Sequence, residues 1–132
     1  MLAVIEQIAR ADGSTGWCAM IGATSGRMSV YLDDAIAREV YGPEDAITCG
    51  VFAPMGRAMP DGDGFKVSGR WPFASGYEHS QWRMGGTTGE TMTARSPDIR
   101  SVLFRAEETR VIDKWDTSGL LRDGQPRHRG HR

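Results

Sequence analysis

The hydrophobic pattern of the chain changes its period at Ile47. Before that residue, Leu2, Ile5 and Ile8 recur at helical spacing, and Asp12 ends the first repeat. After it, stretches such as "FKVSGRW" alternate apolar and polar residues, and dense turn clusters such as "MPDGDGF" separate them. Helices followed by a run of strands predict an α+β fold.

The length of 132 residues suits one domain with a substantial core. We expect a helical segment over residues 1–46, in which Ser14 caps a second helix and Asp33 precedes a third. We expect a partial β-domain over residues 47–120, with strands in "ITCGVFAPMGRAMP", "FKVSGRW", "HSQWRMGG", "SVLFRA" and "TRVIDKW". The predicted architecture is short N-terminal helices followed by an incomplete antiparallel β-barrel-like domain.

Charge and cysteine usage exclude several classes of function. The formal net charge of −1 does not favour nucleic acid or an anionic membrane as a partner. No apolar run is long enough to cross a bilayer, and Glu6 and Arg10 stand where a secretory signal stays apolar, so we expect a cytoplasmic protein. Cys18 and Cys49 lie far apart without a second cysteine pair, which predicts reduced thiols and no metal site.

The stretch "GRWPFASG", residues 69–76, is unusual for either a core strand or a surface loop. Residues two apart on a strand share a face, so Phe73 and Ser75 are expected to point the same way. A ring beside a hydroxyl can hold a flat, apolar cofactor with polar edges. On the residues alone the alternative stays open, in which Trp71 and Phe73 are core aromatics and Ser75 belongs to a turn.

Three stretches together resemble one family: "ADGSTGW", "VFAPMGRAMPDGDGFKVSGRWPFASGYEHSQW" and "VIDKWDTSGL". The chain resembles the acyl-CoA dehydrogenase superfamily, and most of all its flavin-dependent aromatic monooxygenase branch, the oxygenase components of two-component hydroxylases. The resemblance covers about residues 2 to 120. It implies a β-domain of the family's middle-domain type, FMN or FAD as cofactor and a separate flavin reductase. The implied reaction is hydroxylation of an aromatic or related ring with reduced flavin and O₂.

The resemblance also implies positions for flavin-binding residues. Phe52 and Ala53 stand where the dehydrogenases carry the threonine and glutamate of a turn against the flavin. Phe73 and Ser75 fall at the tryptophan and threonine of the family's Trp-Ile-Thr run, with Ser75 near the flavin N5. Ala58 replaces the serine that would contact an acyl-CoA thioester, which favours the oxygenase branch over acyl-CoA chemistry.

The resemblance says less about the substrate pocket and the catalytic residues. Trp71 and Trp82 are expected to line or brace the substrate pocket, and His79 is a further candidate there. It implies no catalytic residue within this sequence. Two alternatives stay open: an inactive truncated remnant that only self-associates or binds a ligand, and an acyl-CoA dehydrogenase-like flavoprotein acting on CH–CH groups.

The tail, residues 121–132, departs from the family after about Leu120. Written in GC-rich codons and read one base later, residues 122 to 131 become Gly-Thr-Gly-Ser-His-Asp-Ile-Glu-Val, which resembles the family's next segment. We therefore expect a truncated fragment with a frame-shifted, disordered tail outside the family pattern. The sheet edges that this leaves open favour a homo-oligomer.

Overall fold

A computed structural model describes residues 1–89, 98–112 and 127–131 of the chain. Three α-helices come first: α1 (Leu2–Ala11), α2 (Gly13–Ser25) and α3 (Asp34–Tyr41), with a 3₁₀ helix (Gly26–Tyr31) between the last two. The strands follow as β1 (Thr48–Asp61), β2 (Gly64–Trp71), β3 (Trp82–Gly89), β4 (Asp98–Arg105), β5 (Thr109–Ile112) and β6 (Arg127–His131). The α+β prediction is confirmed.

Over the described residues the six strands form one open sheet in the order β4-β3-β1-β2-β6-β5. The pairs β1–β2, β3–β4, β2–β6 and β5–β6 are antiparallel, whereas β1 and β3 run parallel. The parallel pair arises because residues 72–81 carry the chain from the end of β2 past the start of β1, where Thr48 pairs with Trp82. The sheet is therefore mixed, where an antiparallel one was predicted, and it stays unclosed as expected.

The tail contributes a strand where disorder was predicted. Residues 127–131 form β6, whose Gly130 pairs with Gly69 of β2 and with Thr109 of β5. The physical reason is the edge of β2, which presents a row of unpaired backbone groups that a further strand can satisfy. Residues 113–126, which include the predicted boundary after Leu120, lie outside the described residues.

Asp12, and not Ser14 as predicted, caps α2. The Asp12 carboxylate accepts hydrogen bonds from the Thr15 backbone N–H and hydroxyl, both at 2.7 Å. An acidic N-cap satisfies an unpaired amide and suits the positive end of the helix. Behind the cap, Gly16 lets α1 approach closely, since a Cβ there would lie 2.5 Å from the Cβ of Ala9. The cap and this contact fix where α2 begins.

Helix α2 is anchored to the sheet at its other end by a buried hydrogen-bonded pair. The Ser25 hydroxyl lies 2.6 Å from the Thr48 hydroxyl and 2.9 Å from the Thr48 carbonyl oxygen. Both residues are less than 5% exposed. Next to them, one core cluster contains Cys49, Ala74 and Tyr77. The start of β1 therefore joins the helical segment to the sheet.

The buried Cys49 thiol makes the stability of the fold sensitive to high pH. Burial raises its pKa above the ordinary value of 9.0, and this outweighs the contact with the Ser80 hydroxyl at 3.2 Å, which lowers it. The unfolded chain therefore releases this proton at a lower pH than the folded chain. The contribution of Cys49 to the free energy of unfolding is expected to be constant below about pH 8 and to fall above about pH 9, by up to about 1.4 kcal/mol per pH unit.

This pH dependence is measured by urea denaturation from pH 7 to 10 in the unmodified chain and in Cys49→Ala. The variant is expected to show a shallower decline, and the remaining slope includes the Tyr41 hydroxyl, whose pKa is raised by burial. Cys18→Ala is the matched control and should retain most of the decline, because the Cys18 charge is the smallest of the causes that shift the Cys49 pKa. Equal slopes in the unmodified chain and Cys49→Ala would contradict the assignment.

Candidate functional site

Trp71, at the end of β2, lies across a slot made by glycines on three adjacent strands. A Cβ at Gly69 or Gly85 would come within 2.7 or 2.5 Å of its indole, and one at Gly56 would also overlap the ring. The indole N–H donates to the Gly86 carbonyl oxygen at 2.7 Å, and the residue is 2% exposed. At this burial the Trp71 indole is a packed side chain with almost no surface left to line a pocket, and its bracing role stays a prediction.

Phe52 and Ala53 lie in an irregular stretch of β1. The β1–β3 register shifts between Val51 and Pro54, and again before Gly56, so this part of β1 interrupts the regular pairing. Phe52 is 55% exposed, and Ala53 is exposed as well. Their carbonyl groups face Gly86 so closely that a Cβ there would lie 2.5 Å from the Ala53 oxygen. The bulge therefore presents the predicted Phe52–Ala53 pair on the surface.

Phe73 has a strained backbone and an exposed ring. Its φ is +63°, and among the described residues it is the one non-glycine with a positive φ. The ring is 65% exposed, whereas Ala74 directly after it is 1% exposed. A left-handed conformation costs an L-residue about 1–2 kcal/mol, and it persists only where the surroundings hold it. The structure thus holds a large apolar ring towards solvent at an energetic cost.

Ser75 points inward, so the prediction that it shares a face with Phe73 is wrong. The alternation of a strand does not apply, because the left-handed residue turns the chain and Ser75 falls in the turn. Ser75 is 3% exposed, and its backbone N–H donates to the Phe73 carbonyl oxygen at 3.1 Å. Its hydroxyl accepts a hydrogen bond from the Trp17 indole N–H at 2.8 Å. Trp17 is a site residue that sequence reasoning missed.

The two remaining candidates, His79 and Trp82, both follow this turn in the sequence. Trp82 begins β3 and is half-buried, with the Arg105 guanidinium 4.6 Å from its ring centre. His79 is exposed in a short 3₁₀ turn (Tyr77–His79), and its backbone N–H donates to the Gly76 carbonyl oxygen at 3.1 Å. Trp82 thus contacts β4 through Arg105. His79 follows Ser75 by four residues in the sequence.

A cavity of about 440 Å³ lies between α2 and the segments 46–48 and 75–79. Its walls are mainly apolar and small, and they include Cys18, Gly22 and Ile47. Ser75 and His79 also line it, so it joins two of the predicted site residues. The cavity is large enough for a small organic molecule.

Arg83 fixes the segment that follows the Phe73 turn. Its guanidinium donates to the carbonyl oxygens of Tyr77 at 3.1 Å and Ala106 at 3.0 Å, and to the Thr109 hydroxyl at 2.5 Å. Burial lowers the pKa of this guanidinium below its ordinary value. These bonds tie residues 77–80 to the connection between β4 and β5.

The described part of the chain holds neither a metal-ligand cluster nor a membrane-spanning helix. Among residues 1–89, 98–112 and 127–131, no group of three or more histidine, cysteine or acidic side chains could hold a metal ion. In the same part of the chain, no helix has the length and apolar character needed to span a membrane.

The sequence and the fold are similar to those of known oxygenases. Indole-3-acetate monooxygenase of Pseudomonas putida is 34% identical over an alignment 128 positions long, which covers 92% of this chain and 31% of that protein. The oxygenase component of the FADH₂-dependent resorcinol hydroxylase of a Rhizobium species is 30% identical over 86% of this chain and 28% of its own length. No protein-family model matches the sequence.

Solved structures give the same result for the fold. The crystal structure of 3-HSA hydroxylase from Rhodococcus sp. RHA1 superposes with a TM-score of 0.85 at 27% identity, over 98% of this chain and 33% of that one. Other solved structures of this fold hold FADH₂ or FMN. The chain spans about a third of the length of the relatives that it matches. It is a partial-length homologue of the oxygenase components of flavin-dependent aromatic monooxygenases, within the acyl-CoA dehydrogenase-fold superfamily.

Proposed function

We propose that this chain forms the flavin-facing β-domain of an oxygenase component that hydroxylates an aromatic or related ring with reduced flavin and O₂. The observation that carries the proposal is Phe73, an exposed aromatic ring held in a left-handed backbone conformation. Strain of this kind clusters where a protein contacts its ligands. Phe73 lies at the position for which the family resemblance implies contact with the flavin ring.

The residues present fit a flavin. The rings of Phe52 and Phe73 are each more than half exposed, and flat apolar rings bind well against such aromatic surfaces. The β1 bulge at Ala53 interrupts the regular ladder, and it presents Phe52 and Ala53 on the surface where the isoalloxazine would lie. We propose Phe52, Ala53 and Phe73 as contact residues, with Ser75 supporting Phe73 through its backbone hydrogen bond.

When bound, the reduced flavin supplies the two electrons that reduce O₂, so that one oxygen atom enters a ring C–H bond and the other leaves as water. The part of this chain is to bind and orient the flavin and to exclude water from its face. Phe52 and Phe73 would cover apolar area of the flavin, while Trp71 packs between β1, β2 and β3 and bonds to Gly86 of β3. Trp82 and His79 remain proposed as residues at or near the substrate.

The relatives named as oxygenase components suggest two partners. We propose that a separate flavin reductase delivers the reduced flavin in the cytoplasm, because the resorcinol hydroxylase relative is named as the oxygenase component of such a system. We also propose a homo-oligomer, since β4 and β5 are the outer strands of the described sheet and present their edges.

Hydroxylation tests the proposal directly. The purified chain is mixed with chemically reduced FMN or FAD, O₂ and a panel of phenols and indole-3-acetate, and products are analysed by mass spectrometry. A product that gains one oxygen atom, absent with Phe73→Ala, is the expected result. Flavin binding without product would favour the ligand-binding alternative. Anaerobic bleaching of oxidised flavin by acyl-CoA thioesters would favour the dehydrogenase alternative, and neither binding nor product would overturn the proposal.

A further inference from the structure

The motif "ADGSTGW" fixes the start of α2. Asp12 caps the helix, and Gly16 lets α1 pack against it. These two contacts leave the last residue of the motif, Trp17, without a part in the cap. Trp17 then projects from the first turns of α2 and reaches a residue that lies 58 positions later in the sequence. That residue is Ser75, which the family resemblance places beside the flavin.

The direction of this hydrogen bond is set by chemistry. An indole N–H only donates, so the Ser75 hydroxyl oxygen accepts from Trp17, at 2.8 Å. The bond fixes the side chain of Ser75 towards α2, and the Ser75 backbone N–H in turn donates to the Phe73 carbonyl oxygen. Two hydrogen bonds therefore connect Trp17 to the strained residue Phe73 through Ser75.

A second indole restrains the turn from its other side. Trp71, two residues before Phe73, donates its N–H to the Gly86 carbonyl oxygen at 2.7 Å. Phe73 thus lies between two hydrogen-bonded anchors, one to β3 and one to α2. A strained conformation persists only where such surroundings over-determine it.

We infer that Trp17 is a positioning residue for the flavin-facing turn, residues 72–76, and acts on flavin binding through Ser75. This inference rests on the proposed function, because it assigns Trp17 a part in presenting Phe73 to the flavin. It assigns Trp17 no contact with the flavin itself. The role belongs to the indole N–H, so a phenylalanine that retains a ring cannot replace it.

A double-mutant cycle with FMN as the probe tests this inference. Trp17→Phe and Ser75→Ala are each expected to weaken FMN binding about five- to tenfold, the effect of losing one hydrogen bond. Because both changes remove the same bond, the double variant should bind no more weakly than either single variant. Tyr31→Phe, which removes a hydroxyl from an exposed aromatic in the same N-terminal segment, is the matched control and should bind as the unmodified chain does.

Hydrogen exchange gives a readout that does not need flavin. The Ser75 amide is expected to exchange about tenfold faster in Trp17→Phe and unchanged in Tyr31→Phe. Unchanged exchange in Trp17→Phe would overturn the inference, as would additive losses of FMN affinity in the double variant. Faster exchange with unaltered FMN affinity would reduce Trp17 to a structural role and also overturn it. Absence of FMN binding in the unmodified chain would instead overturn the proposed function, and the positioning role with it.

Discussion

Replacing Trp71 with alanine is expected to lower the free energy of unfolding by about 3–5 kcal/mol, the usual cost of truncating a fully buried tryptophan. The glycines around it cannot refill the slot, because Gly56, Gly69 and Gly85 have no side chains to move inward. The Gly86 carbonyl oxygen also loses its buried hydrogen bond. A loss this large would show that the packing of β1, β2 and β3 depends on the Trp71 side chain.

Two variants separate the contributions of volume and hydrogen bond. Trp71→Phe retains most of the packing and is expected to cost about 1–2 kcal/mol, from the lost donor and the smaller ring. Gly85→Ala retains the tryptophan but places a Cβ 2.5 Å from its ring, which we expect to cost about 1–3 kcal/mol. Urea denaturation followed by circular dichroism gives all three values. A loss of unfolding free energy below about 1 kcal/mol for Trp71→Ala would contradict the tight packing of Trp71 between these glycines.

Changing Phe73 to glycine is expected to stabilise the fold while weakening flavin binding at least tenfold. Glycine adopts a positive φ without the steric cost, so the free energy of unfolding should exceed that of Phe73→Ala by about 1 kcal/mol. Phe73→Ala removes the ring but leaves the strain. Both variants lose the aromatic surface, so both should lose flavin affinity to a similar extent.

A gain in the free energy of unfolding together with a loss of flavin affinity would identify Phe73 as a residue whose strain serves ligand binding. The measurements are the urea midpoint and the FMN dissociation constant for Phe73→Gly, Phe73→Ala and the unmodified chain. Phe65→Ala is the matched control, since Phe65 is another exposed phenylalanine, 53% exposed on β2. Both Phe73 variants binding flavin as tightly as the unmodified chain would refute the assignment.

The helices and most strands could be predicted from local pattern, because hydrophobic periodicity and turn residues act over short distances. The Trp71 slot could not, since it needs Gly56, Gly69 and Gly85 on three strands to meet one ring. Each glycine alone indicates only a turn or a close approach. The parallel β1–β3 pair was also missed, because it depends on how residues 72–81 cross the end of β1.

The family resemblance supplied positions for the candidate site but not the orientations of its side chains. The assignment of Phe52 and Phe73 to the flavin came from family positions rather than from periodicity, and it stays a prediction. Both residues are more than half exposed. The orientation of Ser75 was wrong because a strand rule was applied across Phe73, whose positive φ no sequence pattern announces. Trp17 was overlooked because its partner lies 58 residues away and only folding brings the two together.

The central claim is that this chain carries a flavin-binding face, and a titration of the purified chain with reduced and oxidised FMN and FAD tests it most directly. Flavin fluorescence is followed in the unmodified chain, in Phe73→Ala and in Phe65→Ala. We expect saturable binding in the micromolar range, lost with Phe73→Ala and retained with Phe65→Ala. No saturation up to millimolar flavin, or equal loss in both variants, would contradict the claim.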